Sequence, residues 1–163
     1  MPARSGSKAR AGPPRRQKLR LTLHLQVVSR VVGVTTSVQI RRWARAALES
    51  PAEITVRIVG AGEARILNYR YRRRNHATNV LSFPYALSRR LVQGDIVLCA
   101  PVIAREALAQ GKTMEAHFAH LTVLGMLHLQ GHRHTRRRNA ARMEALEKKL
   151  LAKLGYPDPY DPG

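Results

Sequence analysis

A single cysteine, Cys99, stands in the 163 residues, so no disulfide can form within the chain, and a reducing cytosol is the expected setting. Long apolar runs are missing too: nothing approaches the roughly 18 residues that suggest a membrane span. The opening MPARSGSKARAGPPRR has no apolar segment of the secretory kind, and Pro13-Pro14 breaks the amphipathic helix that a transit peptide needs. Aromatic residues make up only 5%, which argues against a broad base-stacking platform. Acids are scarce as well. There are 10 Asp+Glu against 29 Lys+Arg, a formal net charge of +19. Such an excess repels itself in the compact state and asks for a polyanionic partner. Nucleic acid comes first. An anionic membrane surface comes second, but no helical pattern here has the separated basic and apolar faces of an interfacial anchor. Phosphate contacts should then dominate binding, which should weaken steeply with salt.

What is present suffices for one core. At 44% hydrophobic residues, a single domain is the default. Residues 1–17 read as a disordered basic tail, rich in Gly, Pro, Ser and Arg. Order begins with Leu19, Leu21, Leu23, Leu25 and Val27 in strict alternation, a strand with one buried face, and His24 lies on its polar side. Thr36 or Ser37 can cap a helix whose stripe is Ile40, Trp43, Ala44, Ala47 and Leu48. Ile54, Val56 and Ile58 mark a second strand. A short helix from about Glu63 to Tyr71 follows, with Ile66, Leu67 and Tyr71 expected inside. Arg72, Arg73 and Arg74 then adjoin the loop Asn75-His76-Ala77, either a solvated face or a phosphate-gripping edge.

Thr78 to Tyr85 reads as a third strand, with Pro84 placing its end at a sheet edge or bulge. Gly94 to Cys99 reads as a fourth, and Asp95 at its start could cap, bridge to a basic side chain or hold a ligand. Helical patterns fill the rest: Val102 to Gln110, a histidine-bearing helix capped by Thr113, and Arg137 to Leu154 stopped by Gly155. Four strands interleaved with helices, then a helical end, give an α+β or α/β sandwich around one small sheet.

The stretch His117 to His134, HFAHLTVLGMLHLQGHRH, is apolar nearly all round, and such a helix is usually buried. Imidazoles in it need partners, protons or a metal. Within it, His128-x-x-Gly131-x-x-His134 places a residue suited to a left-handed turn between two histidines. A chain that doubles back at Gly131 can aim His134 and His128 at one point, half or more of a zinc site. The same spacing occurs in a metalloprotease pattern. That chemistry needs a histidine at Leu124 and a glutamate at Gly125, so no general base is in place for peptidase work. Cys99 lies in an apolar strand, a poor setting for a thiolate.

LGMLHLQGHRH resembles HGxLHLxGxDH, the signature of the YbeY family of single-domain, metal-dependent endoribonucleases of bacterial ribosomal RNA maturation. NYRYR from Asn68, TNVLSFP from Thr78, GDIVLC from Gly94 and MEALEKKLLAKLGYPDPY from Met143 resemble the family in order and spacing. The resemblance covers roughly residues 19–160. It implies an α+β single domain over 18–160, with a small mixed four-stranded sheet flanked by helices and a buried His-bearing helix. It also implies single-strand-specific cleavage in 16S 3′-end processing and ribosome quality control. The implied partners are ribosomal RNA and the small ribosomal subunit, in the cytoplasm, with one zinc ion and no small-molecule cofactor or membrane.

In the family three histidines hold the zinc. His128 and His134 match the second and third, whereas the first falls on Leu124. Arg133 stands where the family has an acid, and Asn75 and Ala77 replace a loop acid and proline. Arg72 matches an arginine thought to act at the active site, where a guanidinium can grip the scissile phosphate. Arg73 and Arg74 are read as RNA-binding. An incomplete ligand set implies reduced activity, since even a lost partner behind the ligands costs 10–100-fold. The alternative is a catalytically weak or inactive RNA- or ribosome-binding protein of the same fold. His132 reads as a solvated loop histidine, with a substitute ligand as the alternative. His120 lies about 12 Å from His128 along a helix, so it and His117 are read as packing or groove residues.

Overall fold

The computed structural model describes residues 18–31, 33–87 and 90–161; the basic segment 1–17 read above as a tail lies outside them. The described residues form β1 (Leu21–Val27), α1 (Ser37–Ala46), β2 (Ala52–Val59), α2 (Ala61–Arg72), β3 (Val80–Leu87), β4 (Val92–Cys99), α3 (Ala100–Ala109), α4 (Met114–Leu129) and α5 (Arg137–Leu154). The sheet runs β1-β2-β4-β3, with β1, β2 and β4 mutually parallel and β3 antiparallel to β4 at the edge. This is a mixed sheet in an α+β fold.

Alternation assigns the faces. Ile54, Val56 and Ile58 of β2, with Ile96 and Leu98 of β4, enter the main core with Trp43 of α1, Phe118 and Met126 of α4, and Leu151 of α5. Their neighbours Val59, Val97 and Cys99 point the other way, into a smaller core with Ala64 of α2, Leu81 of β3 and Val102 of α3. Helix starts follow the capping chemistry. Thr36 takes the amide of Gln39 while the Gln39 side chain returns to the Thr36 amide, a capping box. Thr113 accepts from the Ala116 amide at the head of α4.

Helix α4 is the central element. Eleven of its sixteen residues are buried, as its all-round apolarity requires. It lies so close to β4 that a Cβ on Gly125 would sit 2.9 Å from Ile96 Cγ2. Only a glycine allows that approach.

Helix α2 departs from the sequence expectation. Its inner face is Ala64, Leu67 and Asn68, while Ile66 and Tyr71 are each 61% exposed. Spacing of three and four from Ala64 decides the buried face, and Asn68 is taken inward because its amide donates to the His76 carbonyl (2.9 Å), pinning the loop beyond the helix. Tyr71 lays its ring against Phe83 (centroids 4.8 Å). Asp95 accepts a hydrogen bond from the Tyr85 hydroxyl, a partner the sequence did not point to.

Candidate active-site cleft

The turn after α4 closes as a Schellman motif. Gly131 takes φ +99°, its amide donates to the His128 carbonyl (3.1 Å), and the His132 amide donates to the Leu127 carbonyl (3.0 Å). The chain reverses, and His134 returns to face His128. His128 Nε2 and His134 Nδ1 stand 3.3 Å apart, with the rings nearly perpendicular.

The second nitrogen of His134 explains this pose. His134 Nε2 lies 3.2 Å from Glu147 Oε2, a carboxylate of α5 with no exposed surface. His120 Nε2 reaches its other oxygen at 2.9 Å, and the Tyr160 hydroxyl donates to both, at 3.0 and 3.1 Å. Burial alone would raise the Glu147 carboxyl. The hydrogen bonds from His120, Tyr160 and His134 outweigh it and hold the group below the usual carboxylate range. An ionised carboxylate only accepts, so His134 must carry its proton on Nε2. Its Nδ1 thereby faces His128. Burial, together with the charges of His134 and Arg133, depresses His128 to about 4, so it is neutral at pH 7.

Two imidazole nitrogens at this spacing suit a tetrahedral ion: ligands at 2.0–2.1 Å would stand about 3.3–3.4 Å apart. Behind His134 stands the carboxylate that such ligands commonly use. A third ligand is lacking. No group of three His, Cys, Asp or Glu among the described residues could hold a metal, and Glu147 is already engaged on the far side of His134. Leu124 instead lines the basin next to His128. The residues therefore fit two corners of a metal site and leave the rest to solvent or substrate.

The imidazole pair floors a hollow of about 330 Å³ walled by Arg72, Ser82, Pro84, Arg133 and Thr135. Arg72 arrives there from the last turn of α2, and Ser82 and Pro84 from alternate positions of β3. Arg133 is tied by hydrogen bonds to the carbonyls of His128 (3.0 Å) and His132 (3.1 Å). Arg72 and His128 also line a second basin of about 590 Å³ that runs past Leu124 to Lys112, His117 and His120. The two hollows share a wall and make one long cleft.

The sequence-derived candidates separate here. His128, His134 and Arg72 meet in the cleft. His132 turns away to pair with Glu49 at 2.7 Å, across from α1, so it does not replace the missing ligand. His117 is buried against Glu106 (3.0 Å) and His120 against Glu147, and both also line the second basin. Arg73 ends α2 in a left-handed conformation and lies toward Tyr69 on the outer side of the helix; Arg74 is exposed beside it. Glu147 and Tyr160 were not singled out from the sequence. One signal was available: Glu147 is an acid one turn after Met143 on the apolar stripe of α5.

Comparison with known proteins supplies the class first. Proteins similar to this chain over most of its length are named endoribonucleases, a class of hydrolase. A relative from Aromatoleum aromaticum is 61% identical over 125 residues, 77% of this chain and 80% of the relative. One from Methylibium petroleiphilum is 49% identical over 147 residues, 90% and 97% of the two chains. Both carry the name Endoribonuclease YbeY. The model of the family described as Endoribonuclease YbeY matches residues 27–155, and the chain belongs to that family. The solution structure of TM1509 from Thermotoga maritima shares the fold, with TM-score 0.55 at 19% identity over 86% of this chain and 99% of that one.

Proposed function

We propose that this chain is a single-strand-specific endoribonuclease of ribosomal RNA maturation, with His128, His134 and Arg72 as its cleavage centre and a rate reduced by Leu124 and Arg133. The observation that carries this reading is the 3.3 Å approach of two imidazole nitrogens on the floor of an arginine-walled cleft. His128 and His134 would hold one zinc ion; imidazole donors suit zinc among the available metals. When bound, the ion supplies Lewis acidity toward a phosphoryl oxygen and lowers the pKa of water.

The chain's own residues do the rest. Arg72 takes two non-bridging oxygens of the scissile phosphate in its fork and offsets charge that builds during cleavage. Glu147 fixes the His134 tautomer and ring angle. Pro84 and Ser82 wall the hollow on the strand side. In this reading the substrate is ribosomal RNA on the small subunit in the cytoplasm, and cleavage serves 16S 3′-end processing and ribosome quality control. No helix among the described residues is long and apolar enough to cross a membrane.

A second reading, an RNA- or ribosome-binding protein with hydrolysis lost, is favoured by one observation. Arg133 is a cation bonded to the His128 carbonyl, which works against a divalent ion at the pair. A paired measurement separates the two: zinc per chain and cleavage of single-stranded RNA, for the chain as it stands and for Leu124→His. The expected result is substoichiometric zinc and slow cleavage, with Leu124→His raising zinc toward one per chain and cleavage at least 10-fold. Full zinc with cleavage unchanged by the substitution removes the impairment. Cleavage by neither form leaves the binding protein.

A further inference from the structure

The outer side of α2 carries a feature that the cleavage centre does not use. Arg65, Tyr69 and Arg73 recur every four residues and so form one stripe, and Ile66 and Arg70 flank it. With Asn75 these residues line a hollow of about 550 Å³. No acid lines it, and the one acid of α2, Glu63, is paired with Arg57 at 2.7 Å. Tyr69 is 52% exposed and Ile66 61%, so the ring and its aliphatic neighbour both face solvent. The Arg73 guanidinium stands 6.0 Å from the Tyr69 centroid, at the outer limit of a cation–π contact, so the ring remains available. Arg72, the cleft arginine, is the very next residue before Arg73. The stripe and the cleft arginine thus lie on different faces of the same helix.

We propose that this face of α2 is an accessory site for single-stranded RNA, in which one nucleobase stacks on Tyr69 while Arg65, Arg70 and Arg73 hold the adjoining phosphates. Charge selects the occupant: cations with no acid among them, an exposed aromatic ring, and a place on the helix whose last turn brings Arg72 to a cleft read as handling RNA. The site would take nucleotides flanking the scissile phosphate, so that longer substrates are held at two places. The inference rests on the proposed endoribonuclease reading, and it can fail separately from it.

The test measures RNA affinity of the full chain without added metal, using single-stranded oligonucleotides of about 4 and about 16 nucleotides, the span of common single-strand sites. Tyr69→Ala is expected to weaken the longer RNA by about 5- to 160-fold, the range of one lost base stack, and to change the shorter one less than twofold. Tyr69→Phe keeps the ring and should stay within twofold for both. Arg65→Gln with Arg70→Gln should lower the slope of log affinity against log salt by about 1.4, at about 0.7 per phosphate released. Tyr69 is exposed, so its variants should unfold at the parent urea midpoint; the arginine pair gives a reading that does not depend on them. Long-RNA affinity unmoved by Tyr69→Ala, or an unchanged salt slope in the arginine pair, overturns the proposal. Cleavage abolished by His128→Ala alongside an inert Tyr69→Ala would sink this site and leave the endoribonuclease reading standing. The converse result, no cleavage but the full length-dependent loss, would do the opposite.

Discussion

At the scale of single residues, the His134–Glu147 contact decides what the cleft can bind. Glu147→Gln removes the charge that keeps the His134 proton on Nε2 and leaves amide donors facing His120 and Tyr160. We expect a loss of about 1–3 kcal/mol in urea unfolding, the ordinary consequence of a buried group left unsatisfied. Zinc affinity should fall a further 10–100-fold in a competition assay. His128 makes a separate prediction. Its folded value near 4 lies below the ordinary 6.5 of histidine, so between those values the unfolded chain binds a proton that the folded chain refuses. Stability from this group is complete above about pH 6.5 and is lost as the pH falls toward 4. Following the imidazole carbon proton by NMR in metal-free protein should give a midpoint near 4; a midpoint near 6.5 would mean an open, solvated ring. Arg72→Lys keeps the charge and loses the fork, so it should reduce cleavage nearly as far as Arg72→Ala if the grip is bidentate. Full activity in the lysine variant would make Arg72 a simple phosphate contact.

Residue-level legibility followed sequence distance. His128, Gly131 and His134 lie within seven positions, and helix geometry alone brings them together. Arg72 could be placed only through its resemblance to a family position. Glu147 and Tyr160 reach the site from an element and a tail whose docking depends on the whole core, which no local pattern encodes. For His132, nearness in sequence leaves a loop histidine and a substitute ligand both open, because it says nothing about Glu49, which approaches from the other side of the turn.

At the scale of elements, two glycines govern α4. Gly131→Ala meets no neighbour within 4 Å, so its penalty is the left-handed backbone alone, about 1–2 kcal/mol. Gly125→Ala instead drives a methyl into Ile96 and should cost about 1–3 kcal/mol through overpacking. Comparing urea midpoints with zinc affinity distinguishes them, since only the first should loosen the His134 approach beyond its effect on folding. Strand alternation in β1 and β2 was plain in the sequence because each has one buried face. The inner side of α2 was not. Ile66 and Tyr71 are apolar by composition, yet Ala64 and Asn68 take the interior, because a small residue and a loop-pinning amide fit the narrow space over β4.

At the scale of the whole molecule, the +19 charge surrounds a cleft whose named walls include two arginines and no acid. RNA affinity should fall linearly on a log–log plot against salt, by about 0.7 per neutralised phosphate; an affinity flat in salt would contradict phosphate-led binding. The mixed order of the sheet was not available from strand patterns alone, since alternation reports burial and not direction. It entered through the resemblance, and the β1-β2-β4-β3 arrangement agrees with it.

The edge strand β3 carries a last consequence. Pro84 has no amide to offer, and the register slips between Pro84 and Ala86, so this margin of the sheet is a poor template for another molecule's strand. Copies of a protein this cationic will crowd wherever polyanion is dense. Of the two sheet edges, the one beside the cleft, where pairing would seal a neighbour's opening, is the one that proline leaves blunt.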